Sequence, residues 1–141
     1  MHVGDILRNQ TRRMVTVAMS ETIGIAARLM RASQVGALVV KASTRSEDKA
    51  VVGLFTERDV VRAVAERGAS GLNAKIAQFL SAQAHLRCSS QDTLTDVQEL
   101  MNRYQVRHVP VIDNSRLAGV ISLRDIIEAV DEATVGAAQA A

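Results

Sequence analysis

Aromatic side chains are scarce in this sequence of 141 residues, which holds two Phe, one Tyr and no Trp. This scarcity argues against sites built from stacked rings, such as RNA-binding sheets or aromatic cages. Pro110 is the single proline, which excludes Pro-rich linkers. Since 48% of the residues are apolar and few are aromatic, the core must be built from Val, Ile, Leu, Ala and Met.

Cysteine clusters and long apolar runs are also missing. Cys88 stands alone, so no disulfide can form within the chain, and no Cys/His cluster has metal-ligand spacing. The longest apolar runs, Ala37–Val40 and Ala50–Phe55, are far shorter than the ~20 residues of a membrane-spanning helix. Residues 1–13 hold no apolar stretch that suits a signal peptide. We therefore expect no metal, no membrane and a reducing, cytoplasmic location.

The chain has neither a strong charge excess nor a known catalytic motif. Its 17 basic and 15 acidic residues are interspersed and leave a formal net charge of +2. A nucleic-acid surface needs a stripe of basic residues, and only Arg12–Arg13 comes close, so weak nucleic-acid binding stays an alternative of low rank. No GxSxG, P-loop, GxGxxG or HExxH pattern occurs. We therefore expect no enzyme and no catalytic cofactor.

An internal repeat is the most informative feature of the sequence. Ser20–Val40 aligns with Gln91–Val111 at a shift of 71 residues, which places Thr on Thr, Met on Met and Val on Val. Gly53–Asp59 aligns with Gly119–Asp125 at a shift of 66. The difference falls on the polar insert Ala42–Lys49, and surface loops absorb such insertions. The chain is therefore two copies of one unit.

Both copies follow the same predicted element order, a strand, a helix, two strands and a helix, with a short helix before each copy. The spacing of apolar residues carries these assignments, and Thr22 and Thr93 are the expected N-caps. The predicted strands are Val15–Val17, Ala37–Lys41, Val51–Phe55, Leu86–Cys88, His108–Ile112 and Leu117–Ile121. The predicted helices are Val3–Asn9, Ile23–Met30, Glu57–Arg67, Ala74–Leu80, Leu94–Tyr104 and Leu123–Val130. The residues expected to face inward on the closing helices are Val60, Val61, Val64, Ile126, Ile127 and Val130.

The fold class is therefore predicted as α/β (α+β), with residues 131–141 as a frayed C-terminal tail. The repeated unit, with its Gly-to-Asp block where the last strand meets the last helix, resembles the CBS domain. The motifs that carry the resemblance are Val3–Leu7, Val35–Val40, Val106–Val111, Gly53–Asp59 and Gly119–Asp125. Two copies resemble a CBS pair, or Bateman module, of the stand-alone type, with domains at residues 3–68 and 74–130.

The resemblance implies two repeats packed about a pseudo-twofold axis, with ligand clefts between the two motifs. It further implies a non-catalytic regulatory module that binds adenosine-containing ligands: AMP as first choice, then ADP, ATP, NAD-type dinucleotides or S-adenosylmethionine. Such a module would signal through a homodimer to an unknown partner. The alternative is a ligand-independent scaffold for dimerisation or docking.

The two Gly-to-Asp blocks are the candidate ligand sites. Thr56 and Ser122 lie where a strand ends and a helix begins, and the free N–H groups there favour a phosphate. Asp59 and Asp125 follow three residues later, and a carboxylate can accept from both hydroxyls of a ribose diol. Arg58 and Arg124 could neutralise phosphate charge, and Gly53 would permit a close approach. The same Thr-x-x-Asp and Ser-x-x-Asp patterns are also common helix caps, and the two roles can coexist.

Other candidates come from the resemblance. Arg107 and His108 would face phosphates, and their counterparts Gly36 and Ala37 carry no charge, so the two clefts should differ. Alternatively, Arg107 is a solvated residue and His108 a structural one. The expected adenine pockets comprise Thr16, Val17, Val35, Gly36, Ala37, Arg87 and Cys88. A buried, apolar role for Cys88 is favoured over a reactive thiol.

Overall fold

Over residues 1–10, 14–42 and 51–140, a computed structural model shows five α-helices and five strands. The helices are α1 (Val3–Asn9), α2 (Ile23–Ser33), α3 (Glu57–Arg67), α4 (Leu94–Tyr104) and α5 (Leu123–Ala140). The strands are β1 (Thr16–Ala18), β2 (Ala37–Lys41), β3 (Val51–Thr56), β4 (His108–Asp113) and β5 (Arg116–Ser122). Arg12–Arg13 and most of the Ala42–Lys49 insert lie outside the described residues.

The predicted element order is confirmed for the first repeat, and three predicted elements differ from the structure. Leu86–Cys88 is not a strand, because only Cys88 forms a bridge, with Val111, and a 3₁₀ turn occupies Ala82–His85 just before it. Within the predicted helix Ala74–Leu80, only Ile76–Gln78 is helical, as a 3₁₀ turn. The last helix does not end at Val130 but continues to Ala140, since this Ala-rich segment has high helix propensity.

The chain divides into two compact units. Residues 13–86 form the first unit, in which β1 runs parallel to β2 and β2 pairs antiparallel with β3. The ladder between β2 and β3 sets Ala37 opposite Thr56, at the end of the sheet where α3 begins. The core of this unit is aliphatic with two Phe side chains, and its fully buried members include Ile23, Leu38 and Phe55.

Residues 1–12 and 87–141 form the second unit, built around the antiparallel pair β4–β5. The ladder sets His108 opposite Ser122, the counterpart of the Ala37–Thr56 pair in the first unit. Among the described residues, the buried core of this unit includes Val97, Met101 and Ile126 and contains no aromatic ring. Sequence similarity between the repeats thus extends to strand register at the candidate sites.

Helix α1 packs with the second repeat, although it precedes the first repeat in the chain. The Val3 N–H donates to the Asp92 carbonyl at 2.9 Å, and the His2 backbone bridges to Thr93. The 3₁₀ turn Ile76–Gln78 takes the matching place in the first unit, where the Ile76 N–H donates to the Glu21 carbonyl at 2.9 Å. The proposed domain bounds, 3–68 and 74–130, follow chain order and stay a prediction.

The predicted inward faces of the closing helices are partly wrong. Val61 and Val64 of α3 are 66% and 40% exposed, and Ile127 and Val130 of α5 are 48% and 47% exposed. In α3 the buried face instead carries Asp59 and Ala63, which lie four residues apart and so share one side of the helix. In α5 Ile126 is buried as predicted. Each unit therefore exposes an apolar stripe on its closing helix.

Candidate functional site

The first site lies where β3 ends and α3 begins, and it contains Thr56 and Asp59. The Asp59 Oδ2 atom accepts from the Thr56 N–H at 2.9 Å and from the Thr56 hydroxyl at 3.2 Å. Together the two residues form a capping box for α3. The Glu57 N–H donates to the Gly36 carbonyl at 3.1 Å, which joins the helix start to β2. The helix-capping interpretation of this motif is thus confirmed.

Asp59 is a buried carboxylate, 9% exposed, with a guanidinium beside it. The Arg62 Nη2 atom lies 3.6 Å from its Oδ1 atom, and Arg62 also donates to the Phe79 carbonyl and lies over the Phe79 ring. Every one of these partners comes from α3 or from a neighbouring segment of the first unit. The ribose-binding role of Asp59 stays a prediction, and any diol would reach a carboxylate that is already held in place.

The second site repeats this arrangement where β5 meets α5, with Ser122 and Asp125. The Ser122 N–H donates to Asp125 Oδ2 at 3.0 Å, and the Asp125 N–H donates to the Ser122 hydroxyl at 3.0 Å. The Leu123 N–H donates to the Arg107 carbonyl at 2.8 Å, the counterpart of the Glu57–Gly36 bond. Both predicted Gly-to-Asp blocks therefore form the same local structure, a reciprocal cap next to a paired strand end.

One residue of the second site was not predicted from the sequence. Gln10, the C-cap of α1, donates from its side-chain Nε2 to Asp125 Oδ2 at 2.9 Å and to the Val120 carbonyl at 3.4 Å. The contact joins residues 115 positions apart, and no local pattern signals it. Only the observation that α1 packs with the second repeat brings Gln10 to this site.

An open cavity of about 620 Å³ runs between α1 and α5 beside the second site. Gln10 and Asp125 both line it. Its lining also includes three more carboxylates, Asp5, Glu128 and Glu132, so the potential inside disfavours phosphate groups. Any phosphate at the second site must therefore lie away from this cavity.

The predicted phosphate-binding residues lie near the two helix starts. Arg58, Arg107 and Arg124 are exposed, and His108 is half-buried. The Arg124 Nε atom lies 3.0 Å from Glu128 Oε1, which offsets part of its charge. Ser122 is buried, whereas Thr56 is half-buried. No observation assigns a ligand to these side chains, and their role stays a prediction.

The two block glycines are each required by a close contact within the chain. A Cβ atom on Gly53 would lie 2.1 Å from the Ala84 carbonyl oxygen. A Cβ atom on Gly119 would lie 2.7 Å from Leu7 Cδ2, at the tip of a flexible side chain. The close approach that Gly53 was expected to permit is thus made by the Ala82–His85 turn.

The predicted adenine-pocket residues differ in what they present to the surface. Thr16 is exposed on the edge strand β1, and since the neighbouring Val15 carbonyl faces β2, the Thr16 backbone groups face the open edge. Val17 and Cys88 are buried in the two cores, while Arg87 is exposed. Val35, Gly36 and Ala37 are half-buried beside the first site.

Cys88 has the properties of a structural residue. It is buried, and its N–H donates to the Pro110 carbonyl at 3.0 Å. Burial, aided by the charges of Asp92 and Asp113, raises the pKa of the thiol to about 12. The thiol is therefore neutral at physiological pH and a poor nucleophile. This agrees with the buried, apolar role that the sequence analysis favoured for Cys88.

No group of three His, Cys, Asp or Glu side chains among residues 1–10, 14–42 and 51–140 could hold a metal ion. In the same part of the chain, no helix has the length and hydropathy needed to cross a membrane.

Comparisons with known proteins agree with this architecture. The family model described as CBS domain matches residues 3–66 and 85–132. The crystal structure of a CBS-domain containing protein from Agrobacterium tumefaciens is 39% identical, has a TM-score of 0.81 and covers 91% of this chain and 92% of its own. The mitochondrial CBS domain-containing protein CBSX3 of Arabidopsis thaliana is 31% identical over 111 residues, which are 78% of this chain and 53% of that relative, so this chain spans about half of its length.

A third similar protein was solved with bound ligands. The CBS domain pair of protein MJ0100, solved with 5-methylthioadenosine and S-adenosyl-L-methionine, has a TM-score of 0.76. It is 21% identical and covers 94% of this chain and 97% of its own. At that identity the similarity shows a shared fold.

Proposed function

The chain belongs to the CBS domain family as a CBS pair, a regulatory module, and we propose that it binds an adenosine-containing nucleotide and signals through a homodimer. One observation carries the proposal. Both repeats form the same reciprocal cap, Thr56 with Asp59 and Ser122 with Asp125, next to a paired strand end. A helix cap alone would not need a paired strand end in the same register beside it in both copies.

The chemistry of each site suits a nucleoside. The carboxylates of Asp59 and Asp125 are fixed by backbone N–H donors, so they are preorganised to accept from a ribose diol. The helix starts of α3 and α5 favour a phosphate nearby. A protein of the same fold binds two adenosine derivatives, which supports this ligand class.

AMP is the first candidate ligand, followed by ADP, ATP, NAD-type dinucleotides and S-adenosylmethionine. A single phosphate suits the second site best, because Arg124 is paired with Glu128 and four carboxylates line the adjacent cavity. Arg107 and His108 would then supply most of the positive charge that faces the phosphate. No catalytic step is proposed.

The homodimer is supported by the exposed stripes on the closing helices. Val61 and Val64 on α3 and Ile127 and Val130 on α5 occupy equivalent positions in the two repeats. Apolar residues at i and i+3 form a stripe along one side of a helix, and a second copy of the chain would remove both stripes from water.

The decisive experiment is calorimetric titration of the protein with AMP, ADP, ATP, NAD and S-adenosylmethionine. We expect Asp59→Asn and Asp125→Asn each to weaken binding at one site by at least about 10-fold, since the amide keeps one acceptor but loses the charge and the second acceptor. Thr22→Ala is the matched control, because it removes the N-cap of α2, outside both sites, and should lower stability while it preserves affinity.

The same measurements test the second candidate, a ligand-independent scaffold. It is favoured by one observation, that Asp59 and Asp125 already serve as helix caps. A scaffold would bind none of the five adenosine-containing ligands below about millimolar concentration. Under that outcome the Asp→Asn variants would change stability alone.

A further inference from the structure

The Gln10 side chain occupies one acceptor position of the Asp125 carboxylate, the group that a ribose would need at the second site. We propose that Gln10 is a competitive latch: its side chain closes the second site, and a bound nucleoside displaces it and loosens the C-terminal end of α1. The inference rests on the proposed function, since it concerns the same carboxylate. It adds a regulatory contact that the first site lacks.

The capacity of one oxygen atom carries the argument. A carboxylate oxygen has about two acceptor positions. Asp125 Oδ2 already accepts from the Ser122 N–H at 3.0 Å and from Gln10 Nε2 at 2.9 Å. A diol that uses both carboxylate oxygens must therefore take the position of Gln10, because the Ser122 bond belongs to the helix cap. The nucleoside and the Gln10 amide compete for the same acceptor.

The first site provides the contrast. Gln83 lies at the position equivalent to Gln10, 73 residues later, as the segment Val3–Leu7 corresponds to Ile76–Leu80. In the described part of the chain, no hydrogen bond joins Gln83 to Asp59, and both donors to Asp59 Oδ2 belong to the cap residue Thr56. One of them is a hydroxyl, which can rotate away from the carboxylate when a diol binds, so no distant segment has to move. The first site therefore has a cap without a latch.

The surroundings allow the latch to open. Gln10 and Asp125 both line the 620 Å³ cavity, so a displaced Gln10 side chain has space to move into. Helix α1 is also held at its other end by the Val3–Asp92 hydrogen bond and by the buried side chains of Val3 and Ile6. Opening the latch should therefore loosen the last turn of α1 and leave its start in place.

A first experiment needs no nucleotide. Hydrogen exchange is measured for the peptide that covers Leu7–Gln10 in the wild type and in Asp125→Ala. The variant should raise the exchange rate there by about 10-fold, since it removes the charged acceptor of the Gln10 amide. Asp59→Ala is the matched control, because it removes the equivalent cap in the other unit and should leave this peptide unchanged. Equal exchange in all three proteins would show that no latch exists.

A second experiment measures competition. Adenosine, which has no phosphate, is titrated into Asp59→Asn, in which the first site is weakened and the second site binds more tightly, and into the same protein with Gln10→Ala. Removing the latch should tighten binding by about 10-fold, the equivalent of ~1.4 kcal/mol. Gln83→Ala in the same background should leave the affinity unchanged. In the wild type, adenosine should raise exchange in Leu7–Gln10.

The outcomes separate the latch from the proposed function. If adenosine binds and Gln10→Ala leaves its affinity unchanged or weaker, the latch is wrong and Gln10 is a structural or ligand-contacting residue. If neither adenosine nor any tested nucleotide binds to the wild type or to any variant, the proposed function fails, and the latch fails with it. A gain of binding that appears only in Gln10→Ala would support both.

Discussion

The two units share a local design but differ in how their matched positions are filled. In the first unit, the 3₁₀ turn Ile76–Gln78 is capped by a neutral side chain, Gln78, which accepts from the Lys75 N–H at 3.0 Å. In the second unit the equivalent acceptor is a carboxylate, Asp5, which accepts from the His2 N–H at 2.8 Å. Equivalent backbone geometry is thus stabilised by an uncharged contact in one unit and by a titratable one in the other.

The same contrast between a neutral and a charged residue recurs directly after β2 and at the end of β4. Asp113 accepts from the Ser90 N–H at 3.0 Å and from the Ser89 hydroxyl at 3.2 Å, whereas its counterpart in the first repeat is Ala42. The candidate sites differ as well, since Asp59 has Arg62 beside it and Asp125 has Gln10. Duplication has preserved the backbone while the two copies acquired different electrostatics.

Substitution of Gly53 and Gly119 should give the largest difference in stability between the two units. We expect Gly53→Ala to lower the free energy of unfolding by about 3 kcal/mol, because the new Cβ meets a backbone oxygen, and Gly119→Ala by about 1 kcal/mol, because the Leu7 side chain can rotate away. Chemical denaturation of the two variants measures both values. Equal losses would mean that the Ala82–His85 turn shifts as easily as a leucine side chain.

Substitutions in the exposed apolar stripes of α3 and α5 should differ less in their effect than the two glycine substitutions do. We expect both Val61→Glu and Ile127→Glu to weaken the proposed homodimer by at least about 10-fold, with the larger effect at Ile127, because Val130 and Val135 extend the apolar stripe of α5. Sedimentation analysis across a concentration series measures the dissociation constants. Ile25→Glu on α2, which changes an apolar residue of 41% exposure, is the control. A wild-type monomer at all concentrations would contradict the dimer.

A fall in pH should lower the stability of the two units by different amounts, and this is the smallest of the three expected differences. The backbone hydrogen bond from His2 lowers the pKa of Asp5, and hydrogen bonds from the Ser90 side chain and N–H lower the pKa of Asp113. A lowered pKa means that each carboxylate stabilises the folded state above its ordinary value of 3.8, and that this contribution is lost as the pH falls through the lower folded value. As the pH falls, the second unit should therefore lose its protection against hydrogen exchange at a higher pH than the first unit.

Residue-resolved hydrogen exchange between pH 3 and 6 measures this order. The double variant Asp5→Gln, Asp113→Ala copies the first repeat at both positions and should remove most of the additional acid sensitivity. If the first unit loosened at the higher pH, the assignment of acid sensitivity to these two carboxylates would be wrong.

The sequence predicted the features that local patterns control. Thr22 and Thr93 cap α2 and α4 as expected, since a hydroxyl three residues before a free N–H is a local signal. The alignment of the two copies also gave the equivalent positions, and the ladders of β2–β3 and β4–β5 match at those positions. The side chains that face a site from a distant segment could not be predicted: Gln10 meets Asp125 only because α1 packs with the second repeat.

The closing helices show a second limit of local reasoning. Val60 and Val61 are adjacent, so they lie about 100° apart on the helix and cannot both face the centre of one core. The pattern of apolar residues does not say which of them is buried. The cap decides this in α3, because it turns Asp59 inward and Ala63 follows on the same face. Apolar residues that remain outside are then available to another chain.

The packing of α1 with the second repeat has a consequence for the order of folding during synthesis. Residues 13–86 form the first unit from one continuous stretch, which can become compact once it has left the ribosome. Residues 1–12 are made earlier but must wait for residues 87–141, whose core they complete. Residues 1–12 thus emerge before the first unit but reach their native contacts only after residues 87–141 are made, and closing a loop of this length slows that step.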